Sequence, residues 1–151
     1  MRVWRIAREV HPLLDGEGAR RWGGRWNSPG TPVVYTASAP SLAVLESLVA
    51  RDEEDVPEDL VLASIHVPDD AAVERIARGT LPDGWQAPLH ERCRAIGDEW
   101  VASKRTLVLA VPSAVLPEET NFLINPLHPE IRRCEAVSAR RFAFDPRLRR
   151  G

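Results

Sequence analysis

The chain has 151 residues, enough for one domain with a real core. Its 20 Lys and Arg against 22 Asp and Glu give a net charge of −2, which excludes the basic field of a nucleic-acid binder. No stretch approaches the ~20 apolar residues of a membrane span, and Met1-Arg2-Val3-Trp4-Arg5-Ile6 lacks the apolar run of a signal peptide.

Val3 to Ala7 alternates and reads as a strand, with Val3, Arg5 and Ala7 on one side and Trp4 and Ile6 on the other. Arg5 then either points into a cleft or decorates an edge strand at the surface. His11 to Trp22 reads as a polar loop. Its Gly16-Glu17-Gly18-Ala19-Arg20-Arg21 fails as a dinucleotide fingerprint, because Arg21 stands where a third glycine belongs. Gly23-Gly24 gives the backbone freedom to turn sharply beside Arg25.

Pro32 to Ala37 reads as a short buried strand carrying Tyr35. A helix follows from Pro40, which suits a first turn, with Ser38 as its expected cap. Leu42, Leu45 and Val49 fall on one face, and Glu46 lies at the edge of that face. The helix is apolar nearly all round, which predicts burial. A carboxylate there must find partners or reach solvent. Arg25, Tyr35 and Glu46 are expected to face one pocket.

The acidic run Asp52-Glu53-Glu54-Asp55 reads as a solvated loop. Leu60 to Val67 is a strand stopped by Pro68, with His66 at its end as a structural residue. Ala71 to Ala77 reads as a short helix capped by Asp69 or Asp70. Pro88 to Lys104 is a second long helix with Leu89, Cys93, Ile96 and Trp100 as its apolar stripe, weakened by Gly97. Thr106 to Val111 is a buried strand, which places Ser113 at its end, as a site residue or as a cap of the next turn. Asn121 to Pro129 mixes amides, apolar residues and two prolines, and its asparagines are expected to hold loop backbone. Val137 to Phe144 reads as the last strand, and Arg140, Arg141, Arg147, Arg149 and Arg150 make the C-terminal end basic.

The four histidines and two cysteines, Cys93 and Cys134, show no metal-ligand spacing, so no metal is expected and both thiols are read as reduced, in a cytoplasmic protein. What remains is arginine, tyrosine, glutamate and serine. Arginine binds phosphate through a bidentate fork, tyrosine offers a stacking face, and a carboxylate can stabilise an oxocarbenium-like sugar. The set suits a nucleotide whose glycosidic bond breaks, and NAD+ meets that description.

Trp4-Arg5-Ile6, Gly24-Arg25-Trp26-Asn27, Val34-Tyr35-Thr36-Ala37, Leu45-Glu46, Val111-Pro112-Ser113-Ala114, Asn121-Phe122-Leu123-Ile124-Asn125-Pro126 and His128-Pro129 follow in an order that resembles a RES-domain toxin, of the kind paired with an Xre-type helix-turn-helix antitoxin. The resemblance covers nearly the whole chain as one domain, 1–151. It implies an α+β fold like that of ADP-ribosyltransferases, a split β-sheet with flanking helices around a central cleft. It implies NAD+ as substrate rather than cofactor, growth arrest, and neutralisation by an antitoxin over the cleft, with a toxin dimer allowed in that complex. By position, Arg5 and Arg25 would grip phosphate or ribose, and either is a candidate for the essential arginine. Tyr35 would stack near nicotinamide, Glu46 would hold the ribose, and Ser113 would orient substrate with Asn121 nearby. Phe122 stands where relatives often have tyrosine. An ADP-ribosyltransferase acting on a protein target and an inactive binding module are the competing readings.

Overall fold

A computed structural model describes residues 1–149. The strands are β1 (Arg2–Arg8), β2 (Val34–Ala37), β3 (Leu60–His66), β4 (Val73–Arg75), β5 (Val108–Pro112), β6 (Thr120–Ile124) and β7 (Glu135–Arg141). The helices are α1 (Glu17–Trp22), α2 (Pro40–Val49) and α3 (Glu91–Ser103), with short 3₁₀ turns between elements. The strands form one sheet in the order β4-β5-β6-β2-β1-β3-β7. The β4–β5 pair is parallel, and the other pairs are antiparallel. This is the expected α+β class.

Period-two alternation sorts the core into two sides. Val3, Val34, Ile65, Val108, Ala110, Phe122 and Ile124 pack on one side, under Leu14, Val73 and Ile131. On the other side, Leu109, Val111, Leu123 and Tyr35 lie with Trp26, Trp85 and the α3 residues Cys93, Trp100 and Val101. Ala37, Leu62, Trp4 and Ile6 lie with Leu42 and Ala43 of α2. The two long helices therefore share a sheet side and leave the β2 region between them.

The sheet is weakest in the middle. Strands β1 and β3 pair along seven registers, whereas β1 and β2 share only Trp4↔Ala37. The split expected of the fold is thus a seam between β1 and β2.

Several expectations are corrected. Glu17–Trp22 is a helix inside the stretch read as loop. The helix expected over Ala71 to Ala77 does not form: Val73–Arg75 is instead β4, and Asp69 bonds the N-terminal amine while Asp70 bonds Arg133. Pairing with core strand β5 then wins over local propensity. Helix α3 starts at Glu91, since Leu89 adopts a left-handed φ of 57° and the His90 side chain accepts from the Arg92 amide as cap. Thr120–Ile124 is an inner strand, β6, not a loop. The last strand is shifted to Glu135–Arg141, and Phe142 and Phe144 lie beyond it, edge to face. Ser38 is not a cap; Ala39 holds that position without a side-chain bond. Helix α2 buries Leu42 and Ala43, while Val49 is 59% exposed, so the helix is only partly covered. Arg150 of the basic tail lies outside the described residues.

Candidate active site

Helix α2 presents Glu46 toward the ends of β5 and β6. Oε1 of Glu46 accepts two bonds of 2.7 Å, from Ser113 Oγ and Asn121 Nδ2. Glu46 Oε2 has no protein partner among the described residues. Ser113 is buried just past β5, where Pro112 ends the strand. Its Oγ accepts from the amides of Val115 at 3.2 Å and Leu116 at 3.1 Å. Two amides on the hydroxyl oxygen leave its single proton to Glu46. Ser113 therefore caps the turn, as one reading of the sequence expected, and the same hydroxyl fixes the Glu46 carboxylate. Asn121 stands in β6, paired to Ala37 and Val111, and its Oδ1 is buried without a partner.

Arg5 belongs to an inner strand, so the edge-strand reading is overturned. Its Nη1 donates to the Tyr35 carbonyl at 3.0 Å, across the seam where β1 and β2 part. Its Nε is buried and unpartnered. Burial lowers its pKa, with Asp15 opposing and Arg51 adding to the effect. A half-buried cation with a spare donor can receive an anion or a hydroxyl.

The loop at Arg25 is built as a rigid piece. Gly23 has φ 75°, a left-handed value, and Gly24 N bonds Asn27 O at 3.0 Å to close the turn. Helix α3 grips this loop with one face. Arg94 Nε donates to Gly24 O at 3.1 Å, and Asp98 Oδ1 accepts from the Ser28 amide at 2.8 Å. Between them a Cβ on Gly97 would stand 1.6 Å from Trp26 O, so glycine here is a packing requirement. Asn27 is fully buried and donates to Ala19 O and Thr31 O, both at 2.8 Å. Tyr35 donates its hydroxyl to Asn27 Oδ1 at 2.6 Å and accepts the Trp26 amide at 3.0 Å. Arg25 Nη1 donates to Trp85 O and Ala87 O, each at 2.9 Å. Its remaining nitrogens take no protein partner among the described residues.

The structure thus forms two groups from the residues expected in one pocket. Glu46, Ser113 and Asn121 are directly bonded. Arg25 and Tyr35 share the Gly24–Asn27 loop, and no hydrogen bond joins them to Glu46. The groups are linked through Gln86, whose Nε2 donates to Ala114 O at 2.8 Å from the segment that holds Arg25. Sequence reasoning took Asn27 only as part of a motif and Gly97 only as a weak point of the helix, and it missed Arg94 and Asp98; a glycine amid an otherwise regular helix was the available signal. Among the described residues no His, Cys, Asp or Glu group could hold a metal ion, and no helix is long and apolar enough to cross a membrane.

The RES domain family model matches residues 2–145. The chain is 42% identical over 152 residues to the Prs ADP-ribosylating toxin of a Sphingobium species, covering 96% of this chain and 94% of that protein. It is 36% identical to Toxin Res of Photorhabdus laumondii, over 98% of this chain and 97% of the relative, and 38% identical to Toxin Res of Pseudomonas putida, over 98% and 99%. Its fold is similar to that in the crystal structure of the M. tuberculosis MbcT–MbcA toxin–antitoxin complex, with a TM-score of 0.73 at 22% identity, over 93% of this chain and 83% of that chain. With a family model spanning nearly its full length and full-length relatives at this identity, the chain belongs to the RES-domain toxin family.

Proposed function

We propose that this chain is a toxin that cleaves the nicotinamide–ribose bond of NAD+, as a glycohydrolase or phosphorylase, and that an Xre-type antitoxin holds it in check. The observation that carries the reading is the state of Glu46. Two donors fix Oε1, while Oε2 is left for a substrate hydroxyl. In NAD+ cleavage the C1′–N1 bond breaks and the electron pair leaves with neutral nicotinamide. Glu46 would hold the ribose and stabilise the cation that develops at C1′. Arg25 and Arg5, each anchored by backbone carbonyls, would take the pyrophosphate or ribose. Water or phosphate then bonds C1′ from the open side and gives up a proton to bulk solvent. No resident cofactor or metal enters the scheme.

The buried thiols Cys93 and Cys134, both pushed up by burial, suit the reducing cytoplasm in which NAD+ is found. The partner proposal rests on the toxin–antitoxin complex named for the fold neighbour. A second reading, transfer of ADP-ribose to a protein, is favoured by the name of the relative at 42% identity. Brief induction in cells, followed by NAD measurement, separates the two. A rapid fall supports cleavage. Growth arrest with unchanged NAD supports protein modification, and normal growth with unchanged NAD refutes both.

A further inference from the structure

The resemblance assigns the Tyr35 ring a stacking role, and the structure gives this half-buried side chain a second set of contacts within its own protein. It packs in the cluster of Trp26, Trp85, Leu109 and Leu123, and a Cβ on Gly24 would come within 3.0 Å of Tyr35 Cζ and 2.7 Å of its hydroxyl. The hydroxyl is equally committed, accepting from Trp26 N and donating to Asn27 Oδ1. Gly24 and Trp26 are the two neighbours of Arg25 in the chain. The phenol oxygen therefore sits inside the turn that carries Arg25 and touches it on both sides.

Asn27 extends the same arrangement outward. Its Nδ2 ties the turn to Ala19 O within the preceding helix and to Thr31 O just before β2. Tyr35 is anchored in turn by strand pairing, opposite Leu123 of β6. One hydroxyl thus hydrogen-bonds the sheet to the turn that carries Arg25, whose guanidinium is held in turn by Trp85 O and Ala87 O.

We propose that Tyr35 is a positioning residue: its hydroxyl, with Asn27, is the peg around which the Gly24–Asn27 turn is built and by which Arg25 is aimed at the anionic part of the substrate. This rests on the NAD+ reading for the identity of the substrate, but not for the peg itself. A stacking residue acts through its ring, which Tyr35→Phe retains. A peg acts through the oxygen, which Tyr35→Phe removes, leaving the Trp26 amide and Asn27 Oδ1 without a partner.

The experiment is a double-mutant cycle between Tyr35→Phe and Arg25→Ala on the full chain, read as kcat and KM for NAD+, with hydrogen exchange of the Trp26 amide alongside. The expected result is a loss of about tenfold in kcat/KM for Tyr35→Phe, mostly in KM, and little further loss in the Arg25→Ala background. The Trp26 amide should exchange faster. Should Tyr35→Phe fail to fold, Asn27→Ala removes the acceptor of the hydroxyl and is expected to lower kcat/KM in the same way, again with little further loss in the Arg25→Ala background. Unchanged kinetics and exchange in Tyr35→Phe, or an equal loss in both backgrounds, overturns the inference. If the wild-type chain consumes no NAD+, the functional reading fails by itself, and the Trp26 exchange alone decides the peg.

Discussion

Ser113 gives its one proton to Glu46. The bond to Oε1 is 2.7 Å, and its direction is forced because two backbone amides already point at the serine oxygen. The turn after β5 and the carboxylate on α2 are therefore set by the same atom. Ser113→Ala removes a donor to the carboxylate and the acceptor of two amides. We expect a fall of about tenfold in kcat and a stability loss of about 2 kcal/mol, measured by steady-state kinetics and urea unfolding. Activity at the wild-type level would show that Ser113 serves the turn alone.

Asn121 supplies the second donor to the same oxygen at 2.7 Å. Asn121→Ala leaves the carboxylate with one support. Asn121→Asp places a second carboxylate in contact with the first, and like charges at that distance repel. The ranking of kcat/KM should be wild type, then Ala, then Asp, with Asp lower by about 10²-fold or more. An aspartate variant more active than the alanine variant would contradict the contact as the source of function.

Much of this was legible in the sequence, though unevenly. The inner strands and both long helices follow from their periodicity, as with Leu60–His66 and Glu91–Ser103. Glu46 stood out as a carboxylate in an apolar helix, and Ser113 as a polar residue at the end of a core strand. Their meeting with Asn121 depends on strand order, which no local pattern encodes. Asn121 was expected to hold loop backbone because prolines and amides masked β6. Asn125 does play that part, accepting from the Leu127 amide. The strand at Val73–Arg75 is three residues long and owes its form to β5, so helix signals nearby misled.

Gly97 shows the limit of local propensity. In a helix interior, glycine to alanine ordinarily stabilises by about 1 kcal/mol. Here the added methyl would meet Trp26 O at 1.6 Å. Gly97→Ala is expected to destabilise by about 2 kcal/mol in denaturant unfolding and to disturb the Arg25 loop. A stabilised variant would refute this packing.

Tyr35 is the single tyrosine of the chain, so the ultraviolet signal of tyrosinate reports on it alone. Burial raises its pKa well above the ordinary value, with the Trp26 amide opposing in part. The folded state then holds this proton more tightly than the unfolded state. The associated stability is complete below about pH 10 and is lost as pH rises beyond it. An alkaline titration should show tyrosinate forming together with loss of structure. Ordinary titration near pH 10 in a folded protein would contradict an enclosed phenol.

On the proposed function, Glu46 carries NAD+ cleavage. Glu46→Gln keeps the shape and removes the charge, while thermal unfolding controls for the fold. The purified chain and this variant would be incubated with NAD+, in water and in phosphate, and nicotinamide release followed by mass. We predict release by the wild type and a fall of about 10³-fold in the folded variant. Near-normal release by a folded Glu46→Gln protein would contradict the account.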